Sequence, residues 1–155
     1  MGVSSFFDYP GEETTGGQEL VFLPGRADVD WTRLLHHMET IRFRAGEVVI
    51  AAGEADRALY LISEGTVEVL VPARRGLRRV RTQSKGTILG EVAFLDGRPR
   101  SATVQGVTDG EILRLSLEGF EALSARHPDL GRAILFDLGR ILAARLRQAE
   151  ALLAT

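Results

Sequence analysis

Apolar and polar residues follow three different periods along the chain, and each period predicts a different kind of element. Residues 28–38 have the spacing of a short helix that uses Asp30 as its N-cap. The apolar side of this helix carries Trp31, Leu34 and Leu35. From about residue 40 to 115 the period is two, and glycines interrupt the short runs every 7 to 13 residues. That spacing is typical of a compact antiparallel barrel or sandwich.

The period changes to that of a helix from about residue 116 to 155. Ser116 is a suitable N-cap for a first helix, and Pro128 is suited to begin a second, longer one. One apolar stripe of the second helix comprises Leu135, Leu138, Leu142, Leu146, Ala149 and Leu153. We expect this stripe to face the β-rich region or a partner. The polar side is then expected to carry Arg140, Arg145 and Arg147.

These periods predict one domain preceded by a tail. Residues 1–22 are rich in Gly, Ser, Thr and Glu and follow no period, so we expect a flexible tail there. Residues 23–155 are expected to form a single mainly β domain. Its predicted core is an antiparallel β-roll, similar to a jelly-roll barrel, with one helix before it, a short helix within it and helices after it.

Composition excludes several classes of function. The chain has no cysteine, which excludes disulfides, thiolate catalysis and thiolate metal sites. His36, His37 and His127 lack the spacing of metal ligands, and no nucleophile–base arrangement or Walker loop is visible, so we expect no metal site, no cofactor and no enzyme activity. No apolar run approaches the roughly 20 residues of a transmembrane helix. A cytoplasmic location is expected.

A local run of arginines stands out against the net charge of −2. It comprises Arg74, Arg75, Arg78, Arg79 and Arg81. Because Gly76 predicts a turn within this run, a solvated hairpin tip is the favoured interpretation. Binding to anionic lipid or nucleic acid is the alternative.

The segment from Leu89 to Val104 breaks the strand rhythm and carries the candidate chemistry. It has a glycine, Gly90, as its second residue, contains about one helical turn, breaks at Gly97 and Pro99, and then becomes a strand. The first amides of a helix have no partners within the helix and lie at the positive end of its dipole, so they favour an anion. This segment is called the cassette below.

Two charged residues of the cassette predict what the anion is. Arg100 emerges where the chain turns back, and its guanidinium can donate to two phosphate oxygens at once. Glu91 would repel a phosphate in direct contact with it. It fits a few ångströms away from the phosphate, where it can accept a hydrogen bond from a sugar hydroxyl. A ribose 2′-OH is the expected donor. Taken singly, Arg100 could be a surface arginine and Glu91 a helix cap.

The cassette, GEVAFLDGRPRSATV, resembles the phosphate-binding cassette of the cyclic-nucleotide-binding domain family. The nine-residue interval from Glu91 to Arg100 is similar to that of the protein kinase A regulatory subunit and of bacterial cyclic-nucleotide-gated channels. Upstream, residues 53–69 resemble the family's hairpin, with Tyr60, Ile62, Gly65 and Val67 in its Tyr-x-Ile-x-x-Gly-x-Val pattern. The resemblance covers roughly residues 31 to 150.

The resemblance implies a role for each matching residue. Arg100 would bind the cyclic phosphate and Glu91 the ribose 2′-OH, while Gly90, Ala93 and Ser101 would offer backbone amides. The purine would pack on Leu89 and on strand residues near Val80 and Thr82. The remaining expected members of the site are Val92 and Ala102. The last helix would close over the base as a lid, and the candidates for its capping residue are Leu142, Arg145 and Leu146.

The resemblance also implies a ligand and leaves the role open. The ligand is expected to be cAMP, with cGMP as the alternative. In the kinase family a hydroxyl residue at the position of Ser101 is associated with cGMP. The bacterial channels resemble this chain more closely, carry serine at this position and favour cAMP. A regulatory sensor that biases an unknown effector protein is the favoured function. The alternative is a structural or interaction module with a silent pocket, as part of a transporter, channel or shell protein. A homodimer through the last helix is a further expectation. A DNA-binding regulator is disfavoured because no helix-turn-helix follows the last helix.

Overall fold

The computed structural model of the protein describes residues 20–154. Its elements in chain order are α1 (Asp28–His36), β1 (Glu39–Phe43), β2 (Val48–Ile50), β3 (Ala58–Glu64), β4 (Thr66–Pro72), β5 (Leu77–Ser84), β6 (Ile88–Leu89), α2 (Glu91–Asp96), β7 (Thr103–Gly106), β8 (Gly110–Ser116), α3 (Leu117–Arg126) and α4 (Pro128–Leu153). The predicted order of helix, strands, short helix, strands and terminal helices is confirmed.

The strands form two four-stranded antiparallel sheets, in the orders β1-β8-β3-β6 and β2-β7-β4-β5. The sheets face each other as a β-roll and are not closed into a barrel. Between them lies a core that includes Tyr60, Ile62, Val69 and Val104. On the other side of the first sheet, a second core packs against the helices. Strand β3 is therefore buried on both faces, and only its last residue, Glu64, is exposed.

Helix α4 packs through a stripe different from the predicted one. Its buried residues are Leu130, Gly131, Ile134, Leu138 and Ile141. Of the predicted stripe only Leu138 is buried against the fold, and Leu135 and Leu146 are exposed. The reason is that α4 is apolar on more than one face, and the side that meets α3 and the β-roll is chosen by tertiary packing.

The N-terminal boundary also differs from the prediction. Residues 1–19 lie outside the described residues, but Phe22 is buried against Trp31, with an edge-to-face ring contact. Residues 20–22 therefore belong to the folded domain. Ala27, not Asp30, is the N-cap of α1, and Asp30 lies in its first turn, where it pairs with Arg26 at 3.0 Å. Ser116 caps α3 as predicted, accepting from the Gly119 amide at 3.0 Å.

Candidate functional site

Two left-handed glycines shape the cassette. Gly90 (φ 78°) and Gly97 (φ 70°) flank α2 and let the chain enter and leave this six-residue helix sharply. A Cβ at Gly90 would collide with a guanidinium nitrogen of Arg100. Glycine is therefore required at this position both for its backbone angle and for the close approach of Arg100.

Arg100 lies almost completely buried below the start of α2, with 4% of its surface exposed. Its terminal nitrogens donate to the carbonyl oxygens of Gly90 at 2.9 Å and Ala58 at 2.8 Å, and to the Asp56 carboxylate at 3.2 Å. The guanidinium lies 5.4 Å from the centre of the Tyr60 ring. Its Nε is buried and has no hydrogen-bond partner among the described residues. A buried donor without an acceptor is costly, so this atom fits an anion in the adjacent cleft.

Asp56 fixes the orientation of Arg100. Besides Arg100, it accepts hydrogen bonds from the Tyr60 hydroxyl and from Arg114 at 2.8 Å. Burial alone would raise the pKa of Asp56, but the hydrogen bonds from Tyr60, Arg114 and Arg100 outweigh it and the pKa lies below the ordinary 3.8. Burial and the hydrogen bond to Asp56 raise the pKa of Tyr60 above 10. The Asp56 anion is thus held in place at neutral pH.

The turn that carries Asp56 is tied to the main chain of Arg100. The Arg100 amide donates to the Glu54 carbonyl at 2.9 Å, and the Gly53 amide donates to the Arg100 carbonyl at 2.8 Å. The two segments that resembled the family in the sequence therefore meet at one place. Sequence reasoning found both segments but did not assign Asp56, because the two segments are more than 40 residues apart in the chain.

A cleft that is partly open to solvent lies beside Arg100, and the space between its walls, with the open mouth included, is about 400 Å³. Eight of the predicted site residues line it, namely Leu89, Gly90, Glu91, Val92, Ala93, Arg100, Ser101 and Ala102. The lining residues that the sequence did not reveal are Ile50, Val69, Arg81 and Val104.

Val80 and Thr82 are not brought to this cleft. Both are exposed on β5, and the residue between them, Arg81, lines the cleft instead. The strand pairs Val69 with Arg81 but Leu70 with Arg79, so Val80 is an extra residue. Side chains alternate along a strand, and a bulge changes the face on which each following residue lies, so positions carried over from the family resemblance fall on the other face here.

Glu91 is buried at the rim of the cleft, with 3% of its surface exposed, between two arginines. Arg145 of α4 pairs directly with Glu91 Oε1 and also donates to the Ile88 carbonyl at 3.2 Å. Arg81 approaches the same oxygen at 4.0 Å. Of the three lid candidates, Arg145 therefore reaches the site, whereas Leu142 is partly buried on α4 and Leu146 is exposed. The expectation that Arg145 lies on the polar side of α4 is wrong.

No group of three His, Asp or Glu side chains that could hold a metal ion occurs among residues 20–154. Within the same residues, no helix is both long and apolar enough to cross a membrane.

The fold and the site together define a β-roll whose cleft is lined by a buried arginine, a buried carboxylate and the start of a short helix. Residues 40–127, more than half of the chain, match the cyclic nucleotide-binding domain family, and the chain therefore belongs to this family.

Individual relatives agree with this assignment. The chain is 30% identical over 107 residues to a cAMP-dependent protein kinase regulatory subunit of Emericella nidulans, covering 68% of this chain and 25% of that protein. It is 38% identical over 106 residues to a protein described as a potassium channel protein of Rhodopseudomonas palustris, again covering 68% of this chain and 25% of the other. The chain thus spans about a quarter of the length of these relatives. The solved structure of Thermus thermophilus Catabolite Activator Protein superposes with a TM-score of 0.75 at 30% identity, covering 84% of this chain and 60% of that one.

Proposed function

We propose that this chain is a regulatory sensor that binds a cyclic purine mononucleotide, cAMP in preference to cGMP, in the cleft beside Arg100. The observation that carries the proposal is the buried Arg100 guanidinium, whose Nε lacks an acceptor among the described residues. A cyclic phosphate supplies both the negative charge and the oxygen acceptors that this group requires. The lining of the cleft adds a second cation, Arg81, against the single anion Glu91.

Glu91 is the proposed ribose ligand. Arg145 and Arg81 both approach its Oε1 atom, so Oε2 is the oxygen we assign to the 2′-OH. The two arginines hold the buried carboxylate in one orientation, which presents its second oxygen as an acceptor. The apolar residues Ile50, Val69 and Val104, from the inner faces of the strands, take the place of Val80 and Thr82 as the surface for the purine.

The end of α4 is the part we propose to rearrange on binding. The buried stripe of α4 ends at Ile141, and beyond it Arg145 ties the helix to the cleft through Glu91 and the Ile88 carbonyl. A nucleotide that contacts Glu91 changes the environment of this pair. It can shift α4 only to the extent that it binds the two positions of the helix with different affinity.

The relative named as a cAMP-dependent protein kinase regulatory subunit supports cAMP as the ligand and a regulatory role. We propose that α4 transmits binding to an effector protein or domain. We further propose that the exposed side of α4, with Leu135 and Leu146, pairs with a second copy of the chain. The alternative function, a module with a silent pocket, differs in one measurable property, because it binds no cyclic nucleotide.

Calorimetric titration of cAMP into the parent chain and into Arg100→Ala tests the proposal. A hydrogen bond to a charged group contributes about 1.5–3 kcal/mol, so the variant should bind roughly 10- to 150-fold more weakly. Arg98→Ala is the matched control, because Arg98 is exposed two residues away. Equal binding by both variants would show that Arg100 is not the phosphate ligand. A parent chain that binds neither cAMP nor cGMP would establish the silent module.

The same titrations with 2′-deoxy-cAMP and cGMP test the sugar and base assignments. Glu91→Gln should lose more affinity for cAMP than for the 2′-deoxy analogue, because only cAMP loses a contact. Equal losses would reject Glu91 as the ribose ligand. A tenfold preference of the parent for cGMP would reverse the base assignment.

A further inference from the structure

The hairpin between β4 and β5 forms a strongly basic surface. Between Glu68 and Glu91 the chain has six basic residues and no acidic one. We call residues 72–80 the basic hairpin. Its exposed arginines are Arg74, Arg75, Arg78 and Arg79. Arg79 lies 3.9 Å from Glu68, but its side chain is 65% exposed, and such a surface pair neutralises the hairpin only weakly.

The acidic counterpart of this surface is in the same chain. Residues 1–19 contain Asp8, Glu12, Glu13 and Glu19 and no lysine or arginine. The net charge of −2 therefore divides into −4 in residues 1–19 and +2 in the remainder. Opposite charges concentrated in two parts of one chain attract each other over about 10 Å at 0.1 M salt.

The acidic segment joins the fold beside the strand that carries the arginines. Val21 forms a β-bridge with Thr87, and the Phe22 amide donates to the Gly86 carbonyl at 2.9 Å. Strand β5 ends at Ser84 and is one of the two edge strands of its sheet. Nineteen residues can extend over roughly 60 Å, whereas the eight residues of β5 span about 26 Å, so the segment can reach the hairpin tip.

The apolar residues of the two parts also match. Leu77 and Val80 are exposed among the arginines of the basic hairpin, and the acidic segment carries Phe6, Phe7 and Tyr9. Residues 72–84 contain no aromatic side chain on which bases could stack, which disfavours single-stranded nucleic acid as the partner. A tethered segment has an effective concentration in the millimolar range, which favours it over a free anionic surface.

We propose that the acidic segment, residues 1–19, docks on the basic hairpin of the same chain. The contact is electrostatic, with the aromatic residues of the segment covering Leu77 and Val80. It leaves Arg81, which lines the cleft, outside the contact, so it does not depend on nucleotide binding. Because exposed charges are screened by salt, docking weakens as the ionic strength rises.

Paramagnetic broadening in the full chain tests the docking directly. The chain has no cysteine, so Ser5→Cys gives a single position for a spin label. The expected result is broadening of the ¹⁵N-labelled amide signals of residues 72–80, which is lost at about 0.5 M salt. Broadening should also be lost when Arg74, Arg75, Arg78 and Arg79 are changed to Gln. A matched control changes four other exposed arginines, Arg44, Arg98, Arg126 and Arg132, to Gln and should keep the broadening.

A second variant keeps the test decisive if the hairpin substitutions disturb the fold. Changing Asp8, Glu12, Glu13 and Glu19 to their amides leaves residues 20–154 unaltered and should abolish the broadening. Mixing spin-labelled chains with ¹⁵N chains that lack the label should give no broadening, because the contact is within one chain. Hairpin amide signals that are not broadened in the parent would overturn the proposal. So would broadening that survives both the arginine and the acidic substitutions, or broadening that arises only between chains. Binding of the parent to phosphatidylserine vesicles without hairpin broadening would assign the surface to a membrane instead.

Discussion

At the scale of single residues, the cleft depends on contacts between residues that are distant in the sequence. Arg100 is positioned by Asp56 and by the carbonyl of Ala58, more than 40 residues earlier, and Glu91 by Arg145, more than 50 residues later. The sequence predicted the two charged residues of the cassette because they lie in one short segment. Their partners follow no local pattern, so only the fold identifies them.

Gly90 and Gly97 provide a matched pair of substitutions. Alanine at either position is strained by the positive φ, at a cost of about 1–2 kcal/mol in unfolding free energy. At Gly90 the new Cβ also displaces the Arg100 guanidinium, whereas at Gly97 the nearest atoms belong to Arg57 at 3.4 Å. We therefore expect both variants to be less stable by urea denaturation, and only Gly90→Ala to lose at least tenfold in cAMP affinity. Similar affinities for the two variants would contradict the assigned position of Arg100.

The lowered pKa of Asp56 predicts a dependence of stability on pH. Because the folded-state pKa lies below the unfolded value of about 3.8, the stabilisation is fully present above 3.8 and is lost as the pH falls through the folded pKa. The difference in unfolding free energy between the parent and Asp56→Asn should be constant from pH 7 to about 5 and shrink below 3.8. Urea denaturation across this range measures it, with Glu121→Gln, an exposed carboxylate on α3, as the control. A difference independent of pH down to 2 would reject the role of Asp56.

At the scale of elements, the sequence predicted where helices and strands lie better than which faces they bury. The family resemblance placed Val80 and Thr82 at the purine, but with the bulge at Val80 it is Arg81 that lines the cleft. The apolar residues of α4 admit two stripes with Leu138 in common, and a helical period cannot choose between them. In both elements, packing against the neighbouring elements determines which face is buried. The local sequence pattern carries no information about these neighbours.

Arg145 is predicted to hold the last part of α4 against the cassette. In Arg145→Gln the buried Glu91 loses its nearest cation and α4 loses the Arg145 hydrogen bonds to Glu91 and to the Ile88 carbonyl, so amides 143–153 should exchange about tenfold faster or more. Release of a fluorescent cAMP analogue should also be faster. Arg147→Gln, at an exposed position of the same helix, is the control. Hydrogen exchange by mass spectrometry checks the first effect and stopped flow the second. Identical exchange in the two variants would show that the pair does not hold the helix.

At the scale of the whole molecule, three independent patterns in the sequence pointed to one architecture. The period of two and the glycine spacing predicted a compact antiparallel β structure, and the cassette predicted a short helix within it. The two sheets and α2 confirm this. The open edges of the sheets were not predicted, because barrel and roll share the same strand lengths and turns. The sequence pattern does not determine which exposed surfaces contact another molecule.

The exposed side of α4 gives the last prediction, which concerns assembly. Its residues Leu135, Gly139, Leu142, Leu146, Ala149 and Leu153 recur at intervals of 4, 3, 4, 3 and 4, which is the spacing of a two-stranded seam. Leu146 and Leu153 are 60% and 86% exposed on the single chain, and apolar surface of this kind marks contact sites.

We therefore expect the parent to sediment at twice its chain mass of 16.9 kDa at tens of micromolar. The double variant Leu146→Glu, Leu153→Glu should sediment as a monomer, because charges across the seam repel. The control Val48→Glu, Val107→Glu places the same charges at exposed apolar positions outside α4 and should remain a dimer. A parent that is monomeric at about 100 µM, or seam and control variants that dissociate alike, would reject the exposed side of α4 as a dimer seam.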